Sequence, residues 1–159
     1  MNSYQNALEL DPNNAPALYN LGNALYMMNK YDEAILSYKK ALYINDESPE
    51  CHFNLASAYN DLKKFKEANE HYDRAIELDE ENFDAYICKG NICEQLRKYD
   101  NARQIYKTAL KIDPNNSKIL EAIQKLDAII AKKWFQKLEW KDLKIRSHFK
   151  LLLGRLISK

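Results

Sequence analysis

Hydrophobic and small residues recur along the chain at intervals of 34 positions. The segment 21–46 returns in outline as 55–80 and again as 89–114, each copy shifted by 34 residues. Self-similarity at a fixed period is typical of repeat proteins, in which each unit stacks mainly on its neighbours. We therefore expect three consecutive repeat units, at 15–48, 49–82 and 83–116.

Each unit is predicted to form two helices. We expect first helices at 15–28, 49–62 and 83–97, and second helices at 31–44, 65–78 and 99–112. Asn14, Ser48 and Asn82 stand just before the first helices, and these residue types commonly cap helix N-termini. The joints within the units are short and polar, which favours antiparallel neighbours. The chain contains only 3 Gly and 4 Pro, which also favours helix.

Aligned positions of the three units carry matching small or aromatic residues. A small residue is needed wherever two helix backbones approach closely, and an aromatic ring can fill the space between units. The small columns are Gly22, Ala56 and Gly90; Ala34, Ala68 and Ala102; and Ala41, Ala75 and Ala109. The aromatic column is Tyr38, Tyr72 and Tyr106.

These columns resemble the tetratricopeptide repeat (TPR) family, whose pattern is W-x2-L-G-x2-Y, then A-x3-F, then a late A and P. The matching positions are Leu21, Gly22, Ala34, Tyr38 and Ala41; Leu55, Ala56, Tyr59, Ala68, Tyr72 and Ala75; and Tyr86, Gly90, Ala102, Tyr106, Ala109 and Pro114. The resemblance covers residues 1 to about 116. It implies an all-α fold, a right-handed superhelical α-solenoid of antiparallel helix pairs with a C-terminal capping helix.

The two ends of the chain depart from the complete repeat. Residues 1–12 resemble the second helix of a partial repeat, so the chain opens in the middle of a unit. Residues 117–133 are predicted to form the capping helix, and 134–159 a basic amphipathic helical tail. An apolar stripe of helical spacing begins at Leu120 and continues through Ile123, Ile130 and Trp134.

Charge is distributed unevenly between the repeats and the tail. The formal net charge is +1, from 24 Lys and Arg against 23 Asp and Glu. Residues 131–159 hold nine basic and two acidic residues, or +7, which leaves 15 and 21, or −6, for residues 1–130. Four interpretations of the tail stay open: an extended cap with a solvated basic face, a docking helix, attachment to an anionic membrane surface, or folding back onto the acidic repeats.

No catalytic or cofactor-binding pattern is recognisable in the sequence. There is no glycine-rich phosphate loop, and the three His residues are scattered. We interpret His52 as a buried variant of the family's Trp position rather than as a metal ligand or nucleophile. Three Cys without metal or redox spacing, and no signal peptide or membrane-spanning run, favour a reducing compartment. We therefore expect a cytoplasmic protein that is not an enzyme and uses no cofactor or metal.

The resemblance also implies a concave groove lined by the first helices. The residues expected to contact a peptide there are Tyr19, Asn20, Asn23, Tyr26, Phe53, Asn54, Ser57, Ile87 and Asn91. Asn side chains donate and accept, so they can bond the backbone of an extended peptide whatever its sequence. The alternative is that these Asn residues serve bonding between helices.

The charge of the groove argues against an acidic ligand. TPR co-chaperones hold the acidic tails of heat-shock chaperones with a clamp of Lys, Arg and two Asn. Asn23 and Asn54 match the Asn positions of that clamp, but its basic positions fall on Tyr19, Asp84 and Cys88. We predict a neutral or basic peptide partner, and we expect no binding of nucleic acid.

The function indicated by these features is a non-catalytic scaffold that holds an extended peptide or a helix of a partner protein. Two alternatives stay open. The chain could be an accessory TPR segment of a larger enzyme, recruiting substrate as in a glycosyltransferase-like parent. It could instead be a membrane-associated assembly factor, bound through the basic tail at 134–159.

Overall fold

The computed structural model describes residues 8–137, which are helical with no strand in that range. A helical stretch at 8–10 is followed by seven helices. They are α1 (Ala15–Met27), α2 (Tyr31–Ile44), α3 (Pro49–Asp61), α4 (Phe65–Leu78), α5 (Phe83–Gln95), α6 (Tyr99–Ile112) and α7 (Ser117–Lys137). The all-α fold of paired helices that the sequence predicts is confirmed, and the second helices have the predicted bounds.

The chain divides into two compact units at a point inside α5. The first unit ends at Lys89 and the second begins at Gly90. In the first unit α1 packs against α2, α2 against α3, and α3 against α4. Its most deeply buried side chains belong to the predicted columns, to α3 and to the start of α5: Ala34, Tyr38, Leu55, Ala56, Ala58, Ala68, Tyr72, Ala75 and Ala85.

The second unit is built from the end of α5 with α6 and α7. Its buried apolar residues include Ile92, Ala102, Tyr106, Ala109, Ile119, Ile123 and Leu126. Helix α7 packs against α6, and Arg103 Nη1 donates to Asp127 Oδ1 over 2.8 Å at their contact. Further along, Lys133 Nζ lies 4.8 Å from the centre of the Tyr99 ring. Helix α7 therefore covers the apolar face of α6.

The apolar stripe predicted for α7 is wrong at its start. Leu120 is 42% exposed, whereas Ile119 is buried. The side chains that face α6 are Ile119, Ile123 and Leu126, at the i, i+4, i+7 spacing of one helix face. The sequence contains apolar residues on two neighbouring faces of α7, and both faces have helical spacing. Which of the two faces is buried depends on the contact with α6.

Parts of the predicted ends lie outside the described residues. These are residues 1–7 of the partial repeat and residues 138–159 of the basic tail. Within residues 8–137, no helix is both long enough and apolar enough to cross a membrane.

The predicted N-caps of the first helices are confirmed. Asn14 Oδ1 accepts from the Ala17 N–H over 2.9 Å, and Ser48 Oγ accepts from the Cys51 N–H over 3.2 Å. The first helix of the third repeat is capped in the same way by Asn82, whose Oδ1 accepts from the Ala85 N–H over 3.0 Å. Each cap satisfies one of the backbone donors that a helix leaves free at its N-terminus.

The first helices end one or two residues earlier than predicted, because each closes with a left-handed residue. Asn29, Lys63 and Arg97 have φ values of 59°, 59° and 57°. After α1, the Lys30 N–H reaches back to the Leu25 carbonyl and the Asn29 N–H to the Tyr26 carbonyl, both over 2.9 Å. This pair of bonds is a Schellman motif, and α3 and α5 end with the same pair.

Two glycines provide the space in which the tyrosine column lies. A Cβ atom on Gly22 would stand 2.5 Å from Cε1 of Tyr38, and one on Gly90 would stand 2.1 Å from Cε1 of Tyr106. The tyrosine ring therefore lies directly on the backbone of the first helix of its own unit. Both rings are 1% exposed, so this contact belongs to the core.

Candidate functional site

Helices α1 and α3 bring two of the predicted amides into direct contact. Asn54 Nδ2 donates to Asn23 Oδ1 over 2.9 Å and to the Tyr19 hydroxyl over 3.0 Å. The Tyr38 hydroxyl also donates to Asn23 Oδ1, over 2.8 Å. These bonds occupy both N–H groups of Asn54 and two lone pairs of Asn23. The interpretation that these Asn residues bond helices together is therefore correct for those atoms.

The other half of each amide has no hydrogen-bond partner within residues 8–137. Asn23 keeps its Nδ2 group, which donates, and Asn54 keeps its Oδ1 atom, which accepts. Because the opposite ends are bonded, both side chains have a fixed orientation. The donor of Asn23 can pair with a C=O group of a peptide backbone, and the acceptor of Asn54 can pair with an N–H group.

The two amides lie on the wall of a cavity of about 300 Å³ between α1 and α3, which we call the α1–α3 cavity. Its lining residues are Asn23, Tyr26, Met27, Tyr38, Phe53, Asn54 and Ser57. Five of these were predicted from the sequence as groove residues. Tyr38 was not predicted to line the groove, since it belongs to the buried core column. Met27 falls at an inward position of the repeat that the resemblance implies, but it was not among the residues expected to contact a peptide.

The remaining predicted residues have different surroundings. Tyr19 bonds to Asn54 at the edge of the cavity, as described. The Asn20 side chain is half-buried and forms no hydrogen bond within the described residues. Ile87 is half-buried on α5. Asn91 is exposed in the second unit, where its Oδ1 accepts from the Tyr106 hydroxyl over 2.7 Å. None of these four residues lines the α1–α3 cavity.

The tyrosine column makes the same type of bond in each repeat. Ser57 stands where Asn23 and Asn91 stand in the other repeats, and its Oγ lies 3.1 Å from the Tyr72 hydroxyl. Since Ser57 donates its own proton to the Phe53 carbonyl, the Tyr72 hydroxyl is the donor. Burial is the main reason why the pKa values of Tyr38 and Tyr72 lie well above the usual range. Both hydroxyls therefore remain protonated donors.

Among the described residues, the only charged side chain hydrogen-bonded to a residue of this cavity is acidic. Within residues 8–137, the Tyr26 hydroxyl donates to Asp61 Oδ2 over 2.6 Å. Burial and this bond raise the pKa of Tyr26, so the hydroxyl stays protonated. The second oxygen of the exposed Asp61 carboxylate remains able to accept, and no Lys or Arg of the described part of the chain lines the cavity.

The His52 side chain takes no part in this site. It is 7% exposed, and its ring stacks on that of His71 with 5.4 Å between the ring centres. The described part of the chain holds no group of three or more His, Cys, Asp or Glu residues that could bind a metal ion. The burial of His52 agrees with its interpretation as a variant of the Trp position.

Comparison with known families accounts for the repeat architecture. Models of the tetratricopeptide repeat match residues 15–48 and 53–117. The chain belongs to the tetratricopeptide repeat family. The TPR family is one of protein-interaction modules, so the chain is a protein-interaction scaffold. No curated protein matches the sequence at a significant level.

Three solved TPR structures illustrate the likeness. The first TPR of Spaghetti (RPAP3), bound to the HSP90 peptide SRMEEVD, is 32% identical with a TM-score of 0.68, covering 74% of this chain and 93% of its own. The second TPR domain of human RPAP3, in complex with the HSP70 peptide SGPTIEEVD, is 26% identical with a TM-score of 0.65, covering 71% and 94%. MamA is 22% identical with a TM-score of 0.76, covering 98% and 83%, and shows likeness of fold alone.

Proposed function

We propose that the α1–α3 cavity binds an extended peptide segment of a partner protein, without catalysis. The observation that carries the proposal is the bonded pair Asn23–Asn54 in the cavity lining, which leaves Nδ2 of Asn23 and Oδ1 of Asn54 without a hydrogen-bond partner within residues 8–137. A site whose groups are already ordered loses little conformational entropy on binding. The peptide complexes of the RPAP3 domains support the same kind of ligand for this chain.

The preferred peptide is neutral or basic, in contrast to the peptides of those complexes. SRMEEVD and SGPTIEEVD both end in acidic residues. In this chain Asp61 is bonded to a residue of the cavity, and within residues 8–137 the lining includes no Lys or Arg to pair with a carboxylate. A carboxylate placed here lacks charge-assisted hydrogen bonds, each worth roughly 1.5–3 kcal/mol.

None of Cys51, Cys88 and Cys93 forms a disulfide in the described part of the chain, which suits action in a reducing compartment such as the cytoplasm. Burial raises the pKa of the Cys51 thiol to about 12 and also raises that of Cys88, so neither thiol is activated for nucleophilic chemistry. These properties support a binding role rather than a catalytic one.

Selection from a random library of amidated heptapeptides tests the proposal. The full chain should select neutral or basic peptides, and Asn54→Ala should weaken their binding by about 1–2 kcal/mol through loss of one direct bond and of the support for Asn23. Asn101→Ala, at an exposed position of α6, is the matched control and should bind as the unaltered chain does.

The charge preference is tested separately with SRMEEVD carrying a free C-terminal carboxylate. We expect weaker binding of this peptide than of its variant in which Gln and Asn replace the acidic residues and the C-terminus is amidated. Tight binding of the acidic peptide that weakens with added salt would contradict the proposed preference. Equal binding of selected peptides to Asn54→Ala and the unaltered chain would place the site elsewhere.

A further inference from the structure

The walls of the α1–α3 cavity are largely aromatic, and their positions are fixed. The Phe53 ring lies against the Tyr72 ring, with 5.5 Å between centres. Tyr38 is anchored on the backbone of Gly22. Tyr26 is held by its bond to Asp61 and by an edge contact with Tyr31, 5.4 Å between ring centres. These rings therefore form an apolar surface that exists before any ligand arrives.

Met27, at the edge of the same cavity, is unusually exposed for an apolar side chain. It is 80% exposed, although it is part of the lining. An unbranched thioether side chain can adapt its shape to different apolar partners. Fixed rings on one side and a flexible Met on the other select for the size and polarity of a ligand group rather than for one shape.

The polar and apolar parts of the cavity lie close enough to act on a single residue of a ligand. Asn23 and Asn54 share the lining with Tyr26, Met27 and Phe53. A peptide group bonded by the two amides would thus have its own side chain directed against these apolar residues. Asp61 beside Tyr26 makes an acidic side chain the least favourable occupant.

We infer that the α1–α3 cavity holds one large apolar side chain of the peptide, of the Leu, Ile, Met or Phe class, while Asn23 and Asn54 bond the backbone of the same residue. The inference rests on the proposed peptide-binding function and specifies its ligand. Neutral or basic residues flank this anchor residue, because the charged group bonded at the cavity, Asp61, is acidic.

Substitution of a selected peptide, one position at a time, tests the inference. At one position only, replacing a large apolar residue by Ala should weaken binding roughly 10- to 100-fold, the effect of removing a buried apolar side chain. Replacement of the same residue by Glu should weaken it at least as much. N-methylation of the backbone amide at that position should weaken binding too, whereas N-methylation two positions away should have a smaller effect.

Two variants test whether the apolar side chain of the peptide binds in this cavity. Met27→Ala should reduce the preference for Leu or Phe over Ala at the anchor position several-fold, since Met27 lines the cavity. Met28→Ala is the matched control, because Met28 is 51% exposed and absent from the lining. Phe53→Ala should abolish the preference, and its melting temperature shows whether the fold is retained.

The outcomes separate this inference from the proposed function. Selected peptides whose binding depends on Asn54 but on no apolar position would overturn the anchor alone. An apolar preference that Met27→Ala and a folded Phe53→Ala both leave unchanged would also overturn it. Failure to select any peptide would overturn the proposed function and the anchor together.

Discussion

Nδ1 of His52 and Nδ1 of His71 lie 3.1 Å apart, so one of the two nitrogens carries a proton and donates a hydrogen bond to the other. Nε2 of His52 lies 3.1 Å from the Asp46 carbonyl oxygen, which can only accept. His52 is therefore protonated at Nε2 and accepts at Nδ1, and the donor is Nδ1 of His71. In this arrangement an additional proton enters at Nε2 of His71.

This pair predicts that the protein loses stability in mild acid. Burial, together with the charges of His52 and Lys39, lowers the pKa of His71 to about 4. An unfolded His binds a proton near pH 6.5, so between about pH 6.5 and 4 the unfolded state binds more protons. The free energy of unfolding should fall by about 1–3 kcal/mol across that window.

Urea denaturation at pH 7.5 and pH 4.5 measures this effect. Carboxylates also titrate in this range, so the comparison is with His71→Gln, whose amide can still donate to His52. The variant should lose less stability on acidification than the unaltered chain. Equal losses in both proteins would show that the pair does not contribute to the pH dependence.

Gly22→Ala should destabilise the first unit, although Ala is the better helix former. The new Cβ would stand 2.5 Å from Tyr38, and overpacking of this kind costs about 1–3 kcal/mol. The helix propensity gained is at most about 1 kcal/mol. In a double-mutant cycle with Tyr38→Leu, the cost of Gly22→Ala should largely disappear, because the ring that causes the clash is gone. A net gain in melting temperature for Gly22→Ala alone would refute the expectation.

Arg97→Gly should stabilise the chain. Arg97 has φ 57° at the C-terminus of α5, where an L-residue costs about 1–2 kcal/mol and Gly does not. After the greater freedom of Gly in the unfolded chain is subtracted, we expect a gain of up to about 1 kcal/mol in urea denaturation. Arg97→Ala keeps the left-handed strain and should give no gain, so a similar gain in both variants would point to loss of the Arg side chain instead.

Tyr38→Phe tests whether the core tyrosine orients the amide pair. Loss of the bond to Asn23 should cost about 0.5–1.5 kcal/mol of stability, and peptide binding should weaken because Asn23 is less firmly held. Tyr72→Phe removes a comparable bond, to Ser57, and is the control. Equal affinity of both variants and the unaltered chain, measured by fluorescence polarisation, would remove Tyr38 from the site.

The helix pairs could be predicted from the sequence because each unit repeats the same caps and the same small and aromatic columns. The ends of the first helices could not, since Lys63 and Arg97 do not signal the left-handed conformation they adopt. The stripe on α7 was ambiguous for a related reason. Ile119 and Leu120 are equally apolar, and only contact with α6 buries one of them.

Five of the seven residues that line the α1–α3 cavity were expected groove residues, but the hydrogen bonds among them could not be predicted. Register alone placed Asn23 and Asn54 on the first helices. It could not indicate that the Nδ2 group of Asn54 is occupied by Asn23 and Tyr19, because that depends on how closely α1 and α3 approach. The resemblance placed Met27 at an inward position of the first helix, but the sequence could not show that its side chain is 80% exposed while lining the cavity.

For the proposed site, the contact between Asn23 and Asn54 would also set the smallest part of the chain that can bind a peptide. The two residues come from successive repeats, so an isolated repeat contains one amide and lacks the neighbour that orients it. Recognition would thus begin with a pair of repeats. A bound peptide would in turn resist the separation of that pair, so occupancy of the cavity and cooperativity between neighbouring repeats would strengthen one another.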